Sequence, residues 1–410
     1  MSGLFRNRYV RVILFSGLFL QIGIWVRNFA ILLFVMEQTG GDPFAVSLIS
    51  VAEYAPIFLF SFLAGTFADR WRPKLTMVWC DTLSAVSVLA VLVAFVFGTW
   101  KAVFFATLTS SILSQFSQPA GMKLFKLHVP EEHLQAGMSA YQTLFAVFMV
   151  LGPILGTAVF QSFGIETAMG VTIVAFLCSA AVLFSLPADP VGEKPSGQNQ
   201  LLAEMAGGIR YVRSNRVLTL MCFCFVAAGL AIGIAQPLGI FLVTEQLGLP
   251  KENLQWLITV QGVGMIVGGT VTMMYAKKVA PQKLLFTGML GNAVAFSVTG
   301  FSTHLWLTLA ANLLSGLLLP CIHIGINTLI MKHTESSYIG RVNGILTPLF
   351  TGSMVLTMSI AGILKENLSL VAIFQGNALL FVMGVLCIFP LIRMKELPLE
   401  TASEKRIAPE

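Results

Sequence analysis

The sequence contains twelve long stretches in which apolar residues run almost without a charge. Each is close to the ~20 residues that an α-helix needs to cross a hydrocarbon layer of ~30 Å. Charged residues, glycines and prolines separate the stretches. The predicted spans are 11–36, 45–68, 75–98, 102–121, 137–160, 168–187, 216–243, 254–276, 284–301, 305–331, 342–363 and 368–392. This repetition excludes a soluble fold and predicts an all-α polytopic membrane protein.

The composition agrees with this interpretation. Of the 410 residues, 56% are hydrophobic and only 11% are charged, whereas a soluble globular chain carries roughly 25% charged residues. The mean hydropathy is +0.83. The apolar segments lack the alternation of polar and apolar residues that a membrane-spanning β-strand requires. A transmembrane β-barrel is therefore excluded as well.

The basic residues lie mainly on one side of the predicted membrane. An even number of spans places both termini on the same side, and 21 of the 25 Lys and Arg residues fall there. Lys101, Lys251 and Lys365 lie on the opposite side, and Arg27 is embedded. By the positive-inside rule, the chain is a multi-pass protein of the cell membrane with both termini in the cytoplasm. The net charge of +6 then reflects topology, and no nucleic-acid partner is expected.

The first span and the cysteines carry no processing or redox signal. The first apolar stretch is longer than the core of a signal peptide and lacks a cleavage site, so we expect it to be retained as a helix. All six cysteines lie within predicted spans, where they are expected to pack as small apolar residues. They are Cys80, Cys178, Cys222, Cys224, Cys321 and Cys387. Neither a disulfide framework nor a metal site is predicted.

A segment at the end of the first span returns at the end of the seventh. Residues 33–40 read L-F-V-M-E-Q-T-G and residues 241–248 read F-L-V-T-E-Q-L-G, at an offset of 208 residues. Six spans separate the copies, so the halves are parallel repeats, and substrate is expected between them near the midplane. We predict an N-terminal six-helix bundle at 1–187, a cytoplasmic linker at 188–215, a C-terminal six-helix bundle at 216–393 and a cytoplasmic tail at 394–410.

The loop after the second span carries a motif. Residues 65–74 read G-T-F-A-D-R-W-R-P-K, which resembles the G-x-x-x-D-R-x-G-R-R/K signature of the major facilitator superfamily. The resemblance implies twelve helices in two repeats, with a latch that closes the cytoplasmic side. A loop that merely orients two spans is the simpler alternative. The predicted latch residues are Gly65, Asp69, Arg70 and Lys74, with Gly340 and Arg341 at the start of the eleventh span. Arg72 and Pro73 depart from the signature.

Three further stretches resemble the macrolide-efflux-like drug:proton antiporters of that superfamily. They are Q-P-A at 118–120 with V-P-E-E-H-L at 129–134, G-R-V at 340–342, and G-P-I-L-G at 152–156. Gly152, Pro153 and Gly156 match part of an antiporter signature, whereas Ser139 and Phe148 replace its upstream glycines. The basic residue typical of the fourth span is absent. The resemblance implies proton-coupled export of small molecules.

Three charged side chains lie within the predicted spans, where each costs ~2.5–3.5 kcal/mol to insert near the bilayer centre. Arg27 and Glu53 lie at the same depth on neighbouring antiparallel helices and are expected to pair. The pair is either a static structural element, or Glu53 exchanges a proton or binds a cationic substrate. Asp81 is expected to join the network around Asp69 and is a second candidate for protonation. His323 is either a proton carrier or a hydrogen-bonded core residue.

Polar side chains at similar depths are candidates for lining a substrate cavity, although each could instead bond to a neighbouring helix. They are Gln21, Trp25 and Asn28 in the first span, with Gln115, Gln236 and Asn312 in spans 4, 7 and 10. The first three share one helix face, at spacings of four and three residues. Arg27 is expected to project to a different side.

The sequence lacks the motifs that other functional classes require. It has neither the G-x-x-x-x-G-K-[ST] loop of ATP-driven transport nor an H-E-x-x-H metal motif. We therefore expect that the protein is not an enzyme and needs no cofactor. We expect a monomeric secondary transporter whose partners are a small-molecule substrate, protons and membrane lipid. Export of hydrophobic or amphiphilic molecules by proton antiport is the leading hypothesis. Export of a siderophore-like metabolite, transport of a lysolipid, or a non-transporting receptor are the alternatives.

Overall fold

The computed structural model describes the backbone of residues 7–187, 201–275, 278–335 and 338–393. Side chains are described within these ranges except at 61–70, 131–135, 201–206, 339–340 and 391–393. The α-helices are α1 (Arg8–Gln38), α2 (Pro43–Arg70), α3 (Pro73–Val96), α4 (Val103–His128), α5 (Glu131–Phe184), α6 (Leu201–Ser214), α7 (Arg216–Phe241), α8 (Leu254–Tyr275), α9 (Pro281–Phe301), α10 (Leu305–His333), α11 (Ile339–Asn367) and α12 (Leu370–Arg393).

The structure confirms the all-helical membrane fold. Within the described residues, ten helices are long and apolar enough to cross a membrane. The fourth predicted span forms α4 but is not among these ten. Its serines and glutamines between positions 110 and 118 lower its hydropathy without preventing a helix.

The fifth and sixth predicted spans are both present, and a sharp turn at Gly164 joins them directly. They form α5, a run of 54 residues in which only Gly164 leaves helical geometry, at φ 75° and ψ −177°. A straight helix of that length would extend ~80 Å, far beyond a ~30 Å hydrocarbon layer. Contacts with α1 show that the chain reverses at this glycine. Gly152 and Gly156 contact Trp25 and Phe29, so the first part of α5 runs parallel to α1. Phe176 and Ser179 contact Gly23 and Ser16, so the second part runs antiparallel to it.

Small residues bring α1 and α5 close together. A Cβ atom added to Gly156 would lie 2.7 Å from both Cβ of Phe29 and the carbonyl oxygen of Trp25. The indole ring of Trp25 likewise occupies the space beside Gly152. Small residues allow this approach in membranes, where helix association depends on van der Waals packing. The sequence match at 152–156 therefore has a packing role.

The same helix cap occurs at the starts of α1 and α7. The Oδ1 atom of Asn7 accepts from Tyr9 N at 2.8 Å, and its amide donates to the carbonyl oxygen of His128 at 3.3 Å. Asn215, 208 residues later, accepts from Val217 N at 3.0 Å and donates to the carbonyl oxygen of His333 at 3.1 Å. Each asparagine caps the first helix of its half and ties it to the end of the fourth. The two halves thus share the same helix cap at the 208-residue offset of the sequence repeat.

The last part of the predicted linker is helical, because α6 covers Leu201–Ser214. It packs on α11, and the rings of Tyr211 and Tyr338 stack with their centroids 4.3 Å apart. The rest of the linker, 188–200, and the predicted tail at 394–410 lie outside the described residues. The division into two bundles stays a prediction.

Helices of the two predicted halves contact each other through α2 with α7 and α11, and through α5 with α8. Toward the end where α1 finishes, which the charge pattern places outside, Lys251 forms an ion pair with Glu37 at 2.5 Å. The same ammonium donates to the carbonyl oxygen of Leu33 at 3.3 Å. This contact joins the first helix to the segment that precedes α8.

Candidate functional site

A cavity of about 210 Å³ lies among α1, α2, α3, α4 and α5. It therefore lies inside the predicted N-terminal half, whereas we expected the substrate to bind between the halves. Many hydroxyl and amide side chains line it, together with apolar residues from all five helices. The polar neutral ones are Ser16, Gln21, Ser84, Ser110, Ser111, Ser114, Gln115, Ser117, Gln118 and Tyr141.

Arg27 and Glu53 both line this cavity, but they are not in direct contact as the sequence predicted. The guanidinium donates from Nε and Nη2 to Oδ1 of Asn28, at 3.1 and 2.8 Å. The amide of Asn28 then donates to Oε1 of Glu53 at 2.8 Å. Asn28 therefore bridges the two charges.

The arginine of this bridge is under-satisfied. Arg27 is only 3% exposed, and its Nη1 atom has no hydrogen-bond partner among the described residues. A buried charged group retains a large desolvation cost unless it is fully bonded. Its side chain bends to its sequence neighbour, although adjacent positions on a helix point in different directions. In this cavity Arg27 is a lining residue and Asn28 is not, whereas the sequence favoured Asn28 as the cavity-facing residue.

Asp81 also lines the cavity. We predicted that it joins the network of Asp69, whose side chain lies outside those described. Asp81 is 2% exposed, and its Oδ2 atom accepts a hydrogen bond from the hydroxyl of Ser179 at 2.5 Å. Ser179 in turn lies 2.9 Å from the hydroxyl of Ser16. No cationic side chain pairs with Asp81 within the described part of the chain. Asp81 therefore belongs to the cavity lining, and its link to Asp69 stays a prediction.

The described cavity lining carries one cation and two carboxylates. These are Arg27, Glu53 and Asp81, and the other described lining residues are neutral. With all three ionised, one negative charge has no counter-charge in the lining. Because the charges are buried, their interactions are screened less than those of surface groups. The site is therefore suited to take up one positive charge.

The other predicted cavity residues divide into two groups. Gln21 and Gln115 line the cavity. Trp25 instead packs against Gly152. The amide of Gln236 donates to the hydroxyl of Tyr54 at 3.3 Å, which links α7 to α2. Asn312 donates to the carbonyl oxygen of Thr308 in its own helix, at 2.9 Å. Trp25, Gln236 and Asn312 therefore do not belong to the lining of this cavity.

Most predicted latch residues fall where side chains are not described. Gly65, Asp69 and Arg70 lie in the segment 61–70, and Gly340 lies in 339–340. Lys74 donates to the carbonyl oxygen of Leu186 beyond the end of α5, and its ammonium lies 5.2 Å from the centroid of the Phe184 ring. The guanidinium of Arg341 lies 5.0 Å from the centroid of the Tyr338 ring. The latch stays a prediction.

His323 is exposed and makes no hydrogen bond with another described residue. It is therefore not the hydrogen-bonded core histidine of the simpler alternative.

Pro153 lies within α5 between the packing contacts of Gly152 and Gly156. Among the described residues, no group of three or more His, Cys, Asp and Glu side chains could hold a metal ion.

Two serines of the site, Ser16 and Ser179, were not predicted. They are 163 residues apart, and single serines are common in transmembrane helices, so neither carries a signal in the sequence. Their role follows from the reversal at Gly164, which places the second part of α5 beside α1. A buried carboxylate such as Asp81 requires a hydrogen-bond donor. This requirement alone indicates from the sequence that a hydroxyl lies beside it.

Comparison with known proteins identifies the family. The sequence model described as the Major Facilitator Superfamily matches residues 13–244 and 221–409. The multidrug efflux pump Tap of Mycolicibacterium fortuitum is 28% identical over 375 residues, which cover 88% of this chain and 90% of that protein. Macrolide efflux protein A of Streptococcus pyogenes is 19% identical over 355 residues, covering 84% and 86%.

A solved structure shares the fold. The crystal structure of the nucleoside transporter NupG superposes with a TM-score of 0.75 at 12% sequence identity, covering 95% of this chain and 100% of that one. The family model covers most of the sequence, and the resemblance inferred from the loop motifs is confirmed. The protein is a multi-pass membrane transporter and not an enzyme, and it belongs to the major facilitator superfamily.

Proposed function

We propose that the protein exports hydrophobic or amphiphilic small molecules in exchange for protons, by alternating access of its two predicted halves. The names of the distant relatives support export, because two of them are drug efflux pumps. The absence of an ATP-binding motif from the sequence supports coupling to an ion gradient. We further propose that the transported molecules carry a positive charge.

The observation that carries the proposal is the unbalanced negative charge of the cavity. Arg27 compensates one of the two carboxylates, Glu53 and Asp81, but not both. One proton neutralises the remaining charge, and so does the cationic end of an amphiphile. The two occupants compete, since binding both would leave an excess positive charge in a buried site. Mutual exclusion of proton and substrate is what antiport requires.

The size of the cavity supports a role in binding only the charged end of a substrate. Pockets that enclose a drug-sized molecule have volumes of roughly 300–1,000 Å³, whereas this cavity has about 210 Å³. An amphiphile would therefore place its cationic group here and its apolar part between the halves. The hydrogen bond from Gln236 to Tyr54 crosses between the predicted halves, and Tyr54 directly follows Glu53 in the sequence.

Transport also requires that one side open while the other is closed. The ion pair of Lys251 with Glu37 and the bond from Lys251 to Leu33 hold the predicted outer ends together. In the proposed cycle these contacts break when the outer side opens. The latch around Asp69 would act on the opposite side.

The test is uptake of a lipophilic cationic dye, ethidium, into everted membrane vesicles under an imposed pH gradient. The parent protein should accumulate the dye, and a protonophore should abolish the accumulation. Asp81→Asn should lose gradient-driven accumulation. In this variant Arg27 and Glu53 balance each other, and the described cavity lining carries no further negative charge. Glu366→Gln is the control, since Glu366 is exposed near the predicted outer end of α11 and far in sequence from any cavity residue. It should transport like the parent.

Folded yield is measured in parallel by fluorescence-detected size exclusion. Accumulation by Asp81→Asn at the parental rate, with equal yield, would contradict the assignment of the cavity charge. Uptake by the parent that persists with the protonophore would contradict proton antiport itself.

A further inference from the structure

A groove runs along the outside of the molecule between α3 and α4. Its floor on α3 consists of Leu75, Trp79 and Leu83, which are spaced four residues apart and are 47%, 56% and 45% exposed. Leu113 and Phe116 of α4 form the opposite wall. The groove has a volume of about 610 Å³. It is independent of the cavity charge on which the proposed function rests.

One end of the groove carries a positive charge. Arg72 and Trp71, which precede α3, line it there. Arg72 is exposed, and its guanidinium makes no hydrogen bond or ion pair with another described residue. Lys123 approaches the same turn, because its ammonium donates to the carbonyl oxygen of Trp71 at 3.3 Å. The rings of Trp71 and Phe116 lie beside each other, tilted by 30°, with centroids 5.9 Å apart.

The position of Arg72 is not explained by the family signature. The loop signature has glycine where this chain has Arg72, so the charge is an addition of this sequence. A guanidinium without a partner, at the end of an apolar groove, is a suitable site for a phosphate group. The charge pattern places this end at the cytoplasmic surface, where anionic lipids are concentrated. Tryptophans are also typical of that depth.

The length of the groove fits a lipid chain. From Leu75 to Leu83 the helix rises about 12 Å, and one leaflet contributes about 15 Å of hydrocarbon. The groove therefore spans most of one leaflet and ends in a cation at the surface. We propose that it binds one anionic phospholipid of the cytoplasmic leaflet, with the phosphate at Arg72 and an acyl chain along Trp79.

The site borders the cavity. Cys80 lines both the groove and the cavity, and it precedes Asp81 on α3. A bound lipid therefore packs against the helix that carries a cavity carboxylate.

Tryptophan quenching by brominated lipids tests the proposal directly. The protein is reconstituted as a variant in which Trp79 is the only one of the six tryptophans and the others are phenylalanine. Quenching is compared between dibrominated phosphatidylglycerol and dibrominated phosphatidylcholine at equal mole fraction. We expect a preference of about fivefold for the anionic lipid, which one basic side chain produces at an anionic surface. Arg72→Gln should remove this preference, and Arg72→Lys should keep most of it.

Two controls separate a site from general attraction. A variant that keeps only Trp306, which is 80% exposed at the start of α10, should show no preference. Lys126→Gln removes a neighbouring basic residue that does not line the groove and should leave the preference at Trp79 unchanged. Equal quenching by both lipids, or a preference that persists in Arg72→Gln, would overturn the proposal.

A second measurement applies if the single-tryptophan variants fail to fold. Native mass spectrometry of the otherwise unaltered protein, released from mixed micelles of the two lipids, should show one retained phosphatidylglycerol. The same spectrum of Arg72→Gln should show none. Equal retention by the two proteins would overturn the proposal.

Discussion

Replacing Asn28 by alanine tests whether this residue links the two charges of the cavity. The substitution removes the acceptor of the two bonds from Arg27 and the donor of the 2.8 Å bond to Glu53. An ordinary interhelical hydrogen bond in a membrane contributes about 0.6 kcal/mol and at most about 1.7 kcal/mol. Bonds to charged groups contribute about 1.5–3 kcal/mol each.

The expected loss follows from the two charged contacts. They would sum to about 3–6 kcal/mol, but the space left by the amide allows Arg27 to approach Glu53 and recover part of it. We therefore expect Asn28→Ala to lower the free energy of unfolding by about 2–4 kcal/mol. Asn312→Ala is the matched control, because Asn312 makes only a neutral bond within its own helix. It should cost about 0.6 kcal/mol and at most about 1.7 kcal/mol.

The assay is reversible unfolding in mixed micelles by increasing fractions of dodecyl sulfate, followed by circular dichroism. If Asn28→Ala and Asn312→Ala lose the same small stability, the bridge does not stabilise the buried charges. The combination of Asn28→Ala with Arg27→Gln and Glu53→Gln should recover stability, since no charge is then left unpaired.

Three other predictions concern coupling, packing and topology. Glu53→Gln should lower folded yield because it removes the carboxylate that Asn28 bridges to Arg27, and the addition of Arg27→Gln should restore both yield and gradient-driven transport, since Asp81 keeps the unbalanced negative charge. Gly156→Ala should lower folded yield, because the new Cβ would lie 2.7 Å from Phe29 and Trp25 atoms. In a cysteine-free background, Glu366→Cys should react with an impermeant thiol reagent added to intact cells, and Gly197→Cys should not.

Each of these predictions has a clear contrary result. Restored yield without transport in the double variant at positions 27 and 53 would show that the charge of Asp81 alone is not sufficient and would assign coupling to Glu53. Normal yield of Gly156→Ala would separate the match at 152–156 from packing, whereas Gly170→Ala should be tolerated because no atom lies within 4 Å of its added Cβ. Labelling of Gly197→Cys from outside would reverse the topology.

The fold could be predicted from the sequence because a helix needs about 20 mostly apolar residues to cross a membrane. The polar α4 was included correctly, since Lys101 and Lys123 bound a stretch without charged residues. The junction within α5 could not be predicted in detail. Hydropathy falls near Gly164, but whether a loop or a single left-handed residue reverses the chain depends on how α1 packs against both parts.

The sequence predicted how deep in the membrane the site residues lie, but not which residues they contact. Counting residues placed Arg27 and Glu53 at one level, because the helix rise is constant. The bridge by Asn28 depends on the distance between α1 and α2 and on the bend of a long side chain, which spacing does not determine. Asp81 was expected near Asp69 because the two are close in sequence, and its hydrogen bond to Ser179 could not be predicted because Ser179 lies on the second part of α5.

The central claim is that a proton and a cationic substrate compete for one negative charge in the cavity. Proton release on substrate binding tests it most directly, with purified protein in weakly buffered micelles and a pH indicator dye. Ethidium binding by the parent protein should release about one proton per molecule at a pH where the site is protonated. The same dye should release none from Asp81→Asn, whose described lining keeps Arg27 and Glu53 but has no unbalanced negative charge. Saturable binding to the parent without proton release would contradict the account.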